Sequence, residues 1–246
     1  MTLSSEQRER YARHLSLPEI GEAGQARLGA ARVLVVGVGG LGSPAAYYLV
    51  AAGIGTVGIA DSDRVDLSNL QRQILHATKD VGRLKVESAA EKLIALNPTV
   101  CIRPHLERLT RENAAGVFSA YDFIVDATDN FASKFMIADV CHELNKPYSH
   151  AGILKFMGQT MTVLPGKTAC YRCVFEKEPP ESHGKPQGPL GSVPGVIGAI
   201  QATEALKFSL GIGDLLTDSL LIYDALEMSF RRLQVKRNEQ CPLCSH

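Results

Sequence analysis

The sequence has no excess of charge of either sign. Its 246 residues include 26 Lys and Arg against 26 Asp and Glu, so the formal net charge is zero. Proteins that hold nucleic acid or an anionic membrane through bulk charge need a clustered excess of cations. We therefore expect neither a nucleic-acid partner nor a membrane partner, and any bound anion must meet a local group of cations.

The sequence also lacks a targeting segment and an uninterrupted apolar run. Its first 15 residues are polar and charged, unlike a signal peptide. The uncharged stretches 33–60 and 186–203 are broken by glycine and proline, so neither is expected to cross a membrane. The 45% hydrophobic and 21% charged composition excludes a disordered chain. These features predict a globular cytoplasmic protein.

Four of the six cysteines form two CxxC pairs, Cys170 with Cys173 and Cys241 with Cys244. In a reducing compartment, two such pairs more often make one closed tetrahedral zinc site with four thiolate ligands than disulfides. A redox pair or a disulfide stays open as the alternative. Cys101 and Cys141 are expected to be buried small apolar residues. The zinc would be structural, because a closed site has no position for water.

Strands and helices alternate in the first part of the sequence, which predicts an α/β fold with a Rossmann-like, mostly parallel sheet and helices on both faces. C-terminal antiparallel strands extend the predicted sheet. The predicted strands are 32–36, 56–60, 100–105, 122–126, 148–151, 158–164, 220–224 and 228–235, and the predicted helices are 5–15, 19–28, 43–52, 83–96, 111–118, 130–143 and 196–210.

No linker divides the chain, so we expect one domain over 1–246. Within it, 1–30 form N-terminal helices and 31–165 form the Rossmann-like nucleotide-binding part. The remainder, 166–246, carries the zinc knuckles, a Pro/Gly-rich crossover loop over 176–195 and the C-terminal strands.

A glycine turn follows the first predicted strand and opens a helix. Gly37, Gly39 and Gly42 fit the pattern G-x-G-x-x-G, and Asp61 ends the next strand. Glycines let a phosphate approach the backbone at the helix N-terminus, and the acid is placed to reach ribose hydroxyls. The pattern predicts nucleotide binding. The alternative is that the glycines serve only close packing of helix on strand.

Charged residues beyond the turn distinguish between nucleotides. Arg72 and Lys85 follow the second strand, and Asp129 follows the strand 122–126, at the crevice of an open parallel sheet. These two cations and this carboxylate, together with the amide of Asn69, suit a triphosphate with Mg²⁺. Hydride transfer needs no such group of charges. A nicotinamide-dependent oxidoreductase remains the alternative, and each cation taken alone is also compatible with a solvated surface charge.

A dense, ordered set of motifs carries a family resemblance over nearly the whole chain. The motifs are Arg10-Tyr11-x-Arg13, GVGGLGS, DSDRVDLSNLQRQ, Gly82-x-x-Lys85, DATDN, CYRC, GVIGAIQATEALK and CPLC. With them the chain resembles the HesA/MoeB/ThiF family, the bacterial relatives of ubiquitin-activating enzymes. The likeness is greatest to the adenylyltransferases that act on the sulfur carriers of molybdopterin synthase and of the thiamine pathway.

The resemblance implies ATP-dependent adenylation of the C-terminal glycine carboxylate of a small ubiquitin-like sulfur carrier of the MoaD or ThiS type, ending in Gly-Gly, with release of pyrophosphate. It implies that Asp61 holds the ribose, that Asp129 works with Mg²⁺, and that Arg13 reaches the partner subunit's site in a homodimer. The residues that it places at ATP are Gly37, Gly39, Gly40, Gly42, Asp61, Asp63, Asn69, Arg72, Lys85 and Asp129, and those that it makes catalytic are Arg13, Arg72, Lys85 and Asp129.

One departure from the family pattern concerns the loop 176–195. Some members carry a cysteine there that links covalently to the carrier or relays sulfur, but this loop has none. His183 and Lys185 are expected to be solvated. Nor is a sulfurtransferase module expected after Cys244. We therefore expect adenylation without covalent transfer, with a non-catalytic nucleotide-binding scaffold as a further alternative. The carrier and its pathway stay open between molybdenum cofactor, thiamine and specialised sulfur metabolism.

Overall fold

The computed structural model describes residues 3–177 and 188–244. Helices and strands alternate up to β5, as the sequence predicts. The helices are α1 Ser5–Arg10, α2 Ala12–Leu15, α3 Gly21–Ala30, α4 Gly42–Ala51, α5 Lys85–Leu96, α6 Arg111–Phe118, α7 Phe131–Glu143, α8 Tyr171–Val174 and α9 Ser192–Leu210. The strands are β1 Arg32–Val36, β2 Thr56–Ala60, β3 Cys101–His105, β4 Phe123–Asp126, β5 Tyr148–Leu154, β6 Met157–Val163, β7 Ser219–Asp224 and β8 Ser229–Gln234.

The strands form one sheet in the order β3-β2-β1-β4-β5-β6-β7-β8. Pairing is parallel from β3 to β5 and antiparallel from β5 to β8, which confirms the predicted fold class. The chain runs outward from β1 to β3 and then returns to the other side of β1 with β4. This reversal opens a crevice at the carboxyl ends of β1 and β4, where open parallel sheets bind ligands.

Helices cover the two faces of the central strands, which explains why β1 carries no charge after its first residue. Val33 and Val35 pack on one face with residues of α3, α4, α5 and α9. Leu34 and Val36 pack on the other face with α6, α7 and the four paired cysteines. A strand buried on both faces reads as a continuous apolar run rather than an alternating one.

Several predicted boundaries differ from the structure. Helix α9 begins at Ser192 rather than at residue 196, because a proline at position 194 is tolerated in the first helical turn. The single helix predicted over 5–15 is two helices, and Tyr11 lies between them with its ring buried. The polar loop predicted between β2 and α5 contains two short 3₁₀ turns, Leu67–Asn69 and Thr78–Asp80.

The two unpaired cysteines have different environments. Cys141 is buried in α7, which confirms its prediction. The prediction for Cys101 is wrong, because this residue is exposed. It opens β3, which is the edge strand of the sheet, and its neighbour Ile102 packs on the covered face instead. Alternate residues of a strand point to opposite faces, so Cys101 points away from that cover.

No helix within residues 3–177 and 188–244 combines the length and the apolar character that a membrane crossing requires. Residues 183 and 185, which were predicted to be solvated, lie outside the described residues.

Candidate functional site

A cleft of about 850 Å³ opens at the carboxyl ends of β1, β4 and β5. Most of the residues predicted to bind a nucleotide line it. They are Gly37, Gly39, Gly40, Asp61, Asp63, Arg72, Lys85 and Asp129.

The glycine turn between β1 and α4 has a steric basis at each end. Gly37 has φ +91°, and a Cβ there would lie 2.8 Å from the carbonyl oxygen of Ala127. A Cβ on Gly42 would lie 1.8 Å from the carbonyl oxygen of Gly37. Gly42 therefore serves helix-on-strand packing behind the turn. Gly39 and Gly40 line the cleft itself, where the N-terminus of α4 favours an anion.

Both backbone polar groups of Val38, its N–H and its carbonyl, have side-chain hydrogen-bond partners. Asp61 Oδ2 accepts a hydrogen bond from the Val38 N–H at 3.0 Å. His76 Nε2 lies 3.0 Å from the Val38 carbonyl oxygen, and Nδ1 of the same ring lies 2.9 Å from Ser88 Oγ. Because these contacts fix the turn before any ligand arrives, the turn is preorganised. Sequence reasoning missed His76, since nothing local marks it.

Lys85 is buried beside the two acids that follow β2. Its Nζ lies 2.8 Å from Asp63 Oδ2 and 3.9 Å from Asp61 Oδ2, and its side chain is 8% exposed. The interpretation of Lys85 as a solvated charge is therefore wrong. Burial raises the pKa of Asp61, and the nearby Lys85 charge works against that rise. Arg72 is half-buried, and its Nη1 donates to the Ser68 carbonyl oxygen at 3.2 Å.

Some predicted site residues lie away from the cleft or at its mouth. Arg13 is exposed on α2 and does not line the cleft of its own chain. Asn69 Oδ1 accepts the Asp66 N–H at 3.3 Å, within the first 3₁₀ turn. Asp129 lines the cleft and is exposed, just before α7.

A buried polar group lies where β4 ends beside β5, and two of its members, Lys134 and His150, line the cleft. Asp126 Oδ2 lies 3.0 Å from His150 Nδ1, and Lys134 Nζ lies 3.4 Å from both carboxylate oxygens. Burial alone would raise the pKa of Asp126, but the Lys134 charge and the His150 hydrogen bond outweigh it and lower the pKa to about 2. Sequence reasoning did not assign these three residues to the site. The position of Asp126 at a strand end was the one available signal.

Beyond His150 the cleft becomes glycine-lined and apolar. Gly152, Leu154, Met157, Gly158 and Ile222, on the antiparallel strands, line this half. A Cβ on Gly152 would meet nothing nearer than the Gln159 side chain at 3.5 Å, so the surface there is open. One cleft thus joins a cationic half at β1 and β2 to an uncharged groove over β5 to β7.

The four predicted metal ligands come together, although the two pairs are far apart in sequence. Their sulfur atoms all lie within 4.8 Å of one another. Cys170 Sγ is 3.8 Å from Cys173 Sγ and 3.5 Å from Cys241 Sγ, and Cys173 Sγ is 3.7 Å from Cys244 Sγ. A tetrahedron with Zn–S bonds of about 2.3 Å has edges of this size. The group could hold a zinc ion and would then fasten the segment after β8 to α8.

Comparisons with known proteins agree with this geometry. A model of the ThiF family matches residues 11–243. The sulfur carrier protein adenylyltransferase of Thermus thermophilus is 46% identical over 252 residues, covering 99% of this chain and 93% of that protein. The SAMP-activating enzyme E1 of Haloferax volcanii is 44% identical, covering 99% and 91%. The crystal structure of E. coli MccB superposes with a TM-score of 0.86 at 24% identity, covering 100% of this chain and 76% of MccB, and shows a shared fold.

Proposed function

The chain belongs to the ThiF family, and from that premise we propose that it activates the C-terminal glycine carboxylate of a small ubiquitin-like sulfur carrier. ATP is the second substrate, an acyl-adenylate is the product, and pyrophosphate leaves. The named relatives identify the chain as an enzyme of the nucleotidyltransferase class.

One observation carries this proposal: the cationic half of the cleft opens directly into the glycine-lined groove. Arg72 and Lys85 stand beside the glycine turn, and Gly152 and Gly158 line the far half. A nucleotide and an extended peptide tail can therefore lie end to end, with the two reacting groups meeting over β4. An oxidoreductase would not need the buried cation Lys85 beside its nucleotide phosphates, so this arrangement favours adenylation.

We assign the nucleotide half from the geometry of the turn outward. Gly39 and Gly40 receive the phosphates at the N-terminus of α4, and Asp61 holds the ribose. Arg72 binds phosphate oxygens through the paired N–H donors of its planar guanidinium, and Lys85 binds them through its ammonium charge. Asp63 and Asn69 complete the predicted triphosphate contacts, and Gly37 and Gly42 shape the turn.

Asp129 is the carboxylate that we propose for Mg²⁺, since it is exposed at the mouth of the cleft and oxygen ligands suit this ion. When bound, Mg²⁺ neutralises charge on the phosphate oxygens.

The chemistry follows from the charges. The carboxylate of the carrier attacks the α-phosphorus, the bond from this phosphorus to the bridging oxygen breaks, and pyrophosphate takes the electron pair. No base is required, because the attacking carboxylate is already ionised. Catalysis then rests on positioning and on stabilising the charge that grows on phosphate oxygens.

Arg13 contributes to this stabilisation only if a second subunit supplies it, since it lies outside the cleft of its own chain. We therefore propose a homodimer, in which Arg13 of each subunit completes the site of the other.

We further propose that the reaction stops at the acyl-adenylate and that the zinc is structural. The sequence has no cysteine between Cys173 and Cys241, so no thiol in the loop over 176–195 can form a thioester. Sulfide for the carrier would then come from another protein.

Pyrophosphate exchange into ATP tests the proposal. We expect exchange that depends on a carrier ending in Gly-Gly and that stops when the carrier's last glycine is removed. No exchange with any such carrier would overturn it. A thiol-sensitive enzyme–carrier adduct on a denaturing gel would contradict the absence of covalent transfer while leaving adenylation intact.

A further inference from the structure

Gln159 places an amide among apolar neighbours in the uncharged half of the cleft. It lies on β6, is half-buried, and lines the cleft together with its cross-strand partners Gly152 on β5 and Ile222 on β7. Directly paired residues of neighbouring strands share a face of the sheet. Met157 and Met161, two residues before and after on β6, share this face as well. One glycine and three apolar side chains therefore surround the amide.

Both polar atoms of the Gln159 side chain are without a protein partner. Within residues 3–177 and 188–244, neither Oε1 nor Nε2 makes a hydrogen bond. Neither atom is among the unpaired atoms that are sealed from solvent, so both are accessible on a side chain that lines the cleft. Water can satisfy them in the free protein. A ligand that covers them must bring both an acceptor and a donor, because otherwise the amide loses its hydrogen bonds without replacement.

The space beside this amide is open because residue 152 has no side chain. The position that a Cβ on Gly152 would take lies 3.5 Å from Gln159 Nε2 and 3.6 Å from its Cγ, both ordinary contacts. The backbone of Gly152 is not in the left-handed region either. Neither packing nor backbone conformation thus requires glycine here. Its effect is to let an extended chain approach the Gln159 amide.

The spacing of the strands indicates which part of a carrier tail meets this amide. In the proposed function the terminal carboxylate lies over β4, and β5 is one strand spacing of about 4.8 Å away. One extended residue spans about 3.5 Å, so the last glycine crosses from β4 to β5. The residue before it then lies beside Gly152. In an extended residue the N–H and the C=O point to the same side, so one carboxamide can bind both.

We propose that the carboxamide of Gln159 pairs with the residue that precedes the carrier's last glycine. Nε2 donates to the carbonyl oxygen of that residue, and Oε1 accepts from its N–H. The contact fixes how far the tail enters the cleft and so brings the carboxylate to the α-phosphorus. This inference rests on the proposed function, which it deepens by naming a residue that recognises the tail.

A double-mutant cycle on the side chain and the substrate tests the contact. The enzyme variant is Gln159→Met, which keeps the length of the side chain and removes its donor and acceptor. The carriers end in Gly-Gly or have glycolic acid before the last glycine, so that an ester oxygen replaces one N–H. We expect kcat/KM for the Gly-Gly carrier to fall about 30-fold in Gln159→Met, the change that two net hydrogen bonds supply. Wild-type enzyme should lose about fivefold with the ester carrier, and Gln159→Met should be insensitive to the ester.

Three further measurements separate this contact from a merely structural role. Gln234→Met is the matched control, because Gln234 is exposed on β8 and does not line the cleft, and it should keep the wild-type ester penalty. Gly152→Ala should fold, since its Cβ meets nothing nearer than 3.5 Å, yet it should lower kcat/KM for the carrier by covering the amide. Equilibrium binding of a non-hydrolysable ATP analogue should be unchanged in all of these variants.

An ester penalty that persists in full in Gln159→Met would overturn the inference, as would a loss of ATP-analogue binding without a change toward the carrier. If wild-type enzyme catalyses no exchange with any Gly-Gly carrier, the proposed function fails and this inference fails with it. Exchange by wild-type enzyme with independent losses from the variant and from the ester overturns the inference alone.

Discussion

Lys85 Nζ lies 2.8 Å from Asp63 Oδ2, in an ion pair with one buried and one exposed member. The Lys85 side chain is 8% exposed and that of Asp63 is 69% exposed. An ammonium held in this way is fixed in position, and on its open side it can meet a phosphate oxygen. The pair thus holds a buried cation at the cleft in a chain whose formal net charge is zero.

Replacing Lys85 should therefore stop the reaction without unfolding the protein. We expect Lys85→Ala to lower carrier-dependent pyrophosphate exchange about 10²- to 10³-fold, the loss seen when one stabilising donor is removed from an active site. Lys79→Ala is the control, since Lys79 is 69% exposed in its pair with Glu91. Exchange within threefold of wild type in Lys85→Ala would contradict the role assigned to this amine.

Complementation between inactive variants tests the contribution of Arg13 across subunits. Arg13→Ala and Lys85→Ala should each be inactive as homodimers. After mixing and subunit exchange, each heterodimer has one intact site, so exchange should return to about one quarter of the wild-type value. Mixtures that stay inactive although heterodimers form would show that Arg13 acts in its own chain or not at all.

Alanine substitutions at Gly42 and at Gly29 form a matched pair for measuring the stability of the fold. Gly42→Ala should destabilise the fold and abolish ATP binding, because its Cβ would lie 1.8 Å from the Gly37 carbonyl oxygen. Gly29→Ala in α3 has no atom within 4 Å of the new Cβ and should stabilise the fold by about 0.5–1 kcal/mol. Denaturant unfolding measures both. Equal effects of the two substitutions would contradict the packing role of Gly42.

The cysteine cluster predicts a dependence of stability on metal. We expect one zinc ion per chain by atomic absorption, and a lower midpoint of thermal unfolding in Cys244→Ser or after chelation. Cys101→Ser should change neither quantity, because Cys101 is exposed and outside the cluster. If the purified protein contains no zinc and chelators do not change its midpoint of thermal unfolding, the four thiols do not hold a stabilising metal ion.

Burial of His76 makes stability depend on pH. Burial lowers its pKa below the ordinary 6.5, although the hydrogen bond to Val38 opposes that shift. Below pH 6.5 the unfolded chain binds a proton here that the folded chain does not, so the free energy of unfolding should fall as pH drops from 6.5 toward the folded-state pKa. His76→Gln keeps a hydrogen-bonding side chain but cannot titrate. It should flatten this slope in urea unfolding between about pH 5 and 7, and an unchanged slope would exclude His76 as its source.

Much of the fold could be predicted because its signals are local. The apolar run of β1, the glycine turn after it and the acid at the end of β2 are neighbours in sequence, and each has a direct structural cause. Boundaries failed where packing decided them. Helix α9 starts before Pro194, and Tyr11 turns inward, where its hydroxyl accepts from Asn97 Nδ2 at 2.8 Å.

The sequence by itself determined which chemical groups the protein carries: a glycine turn between a strand and a helix, cations and acids that follow the strands, and two thiol pairs. These follow from residue type and short spacing, which fix local geometry. Only the tertiary structure decided that Lys85 is buried, that Cys101 is exposed, and that His150 lies against Asp126. Such contacts depend on strand order and register, because residues distant in the chain become neighbours only when the sheet places β4 beside β5.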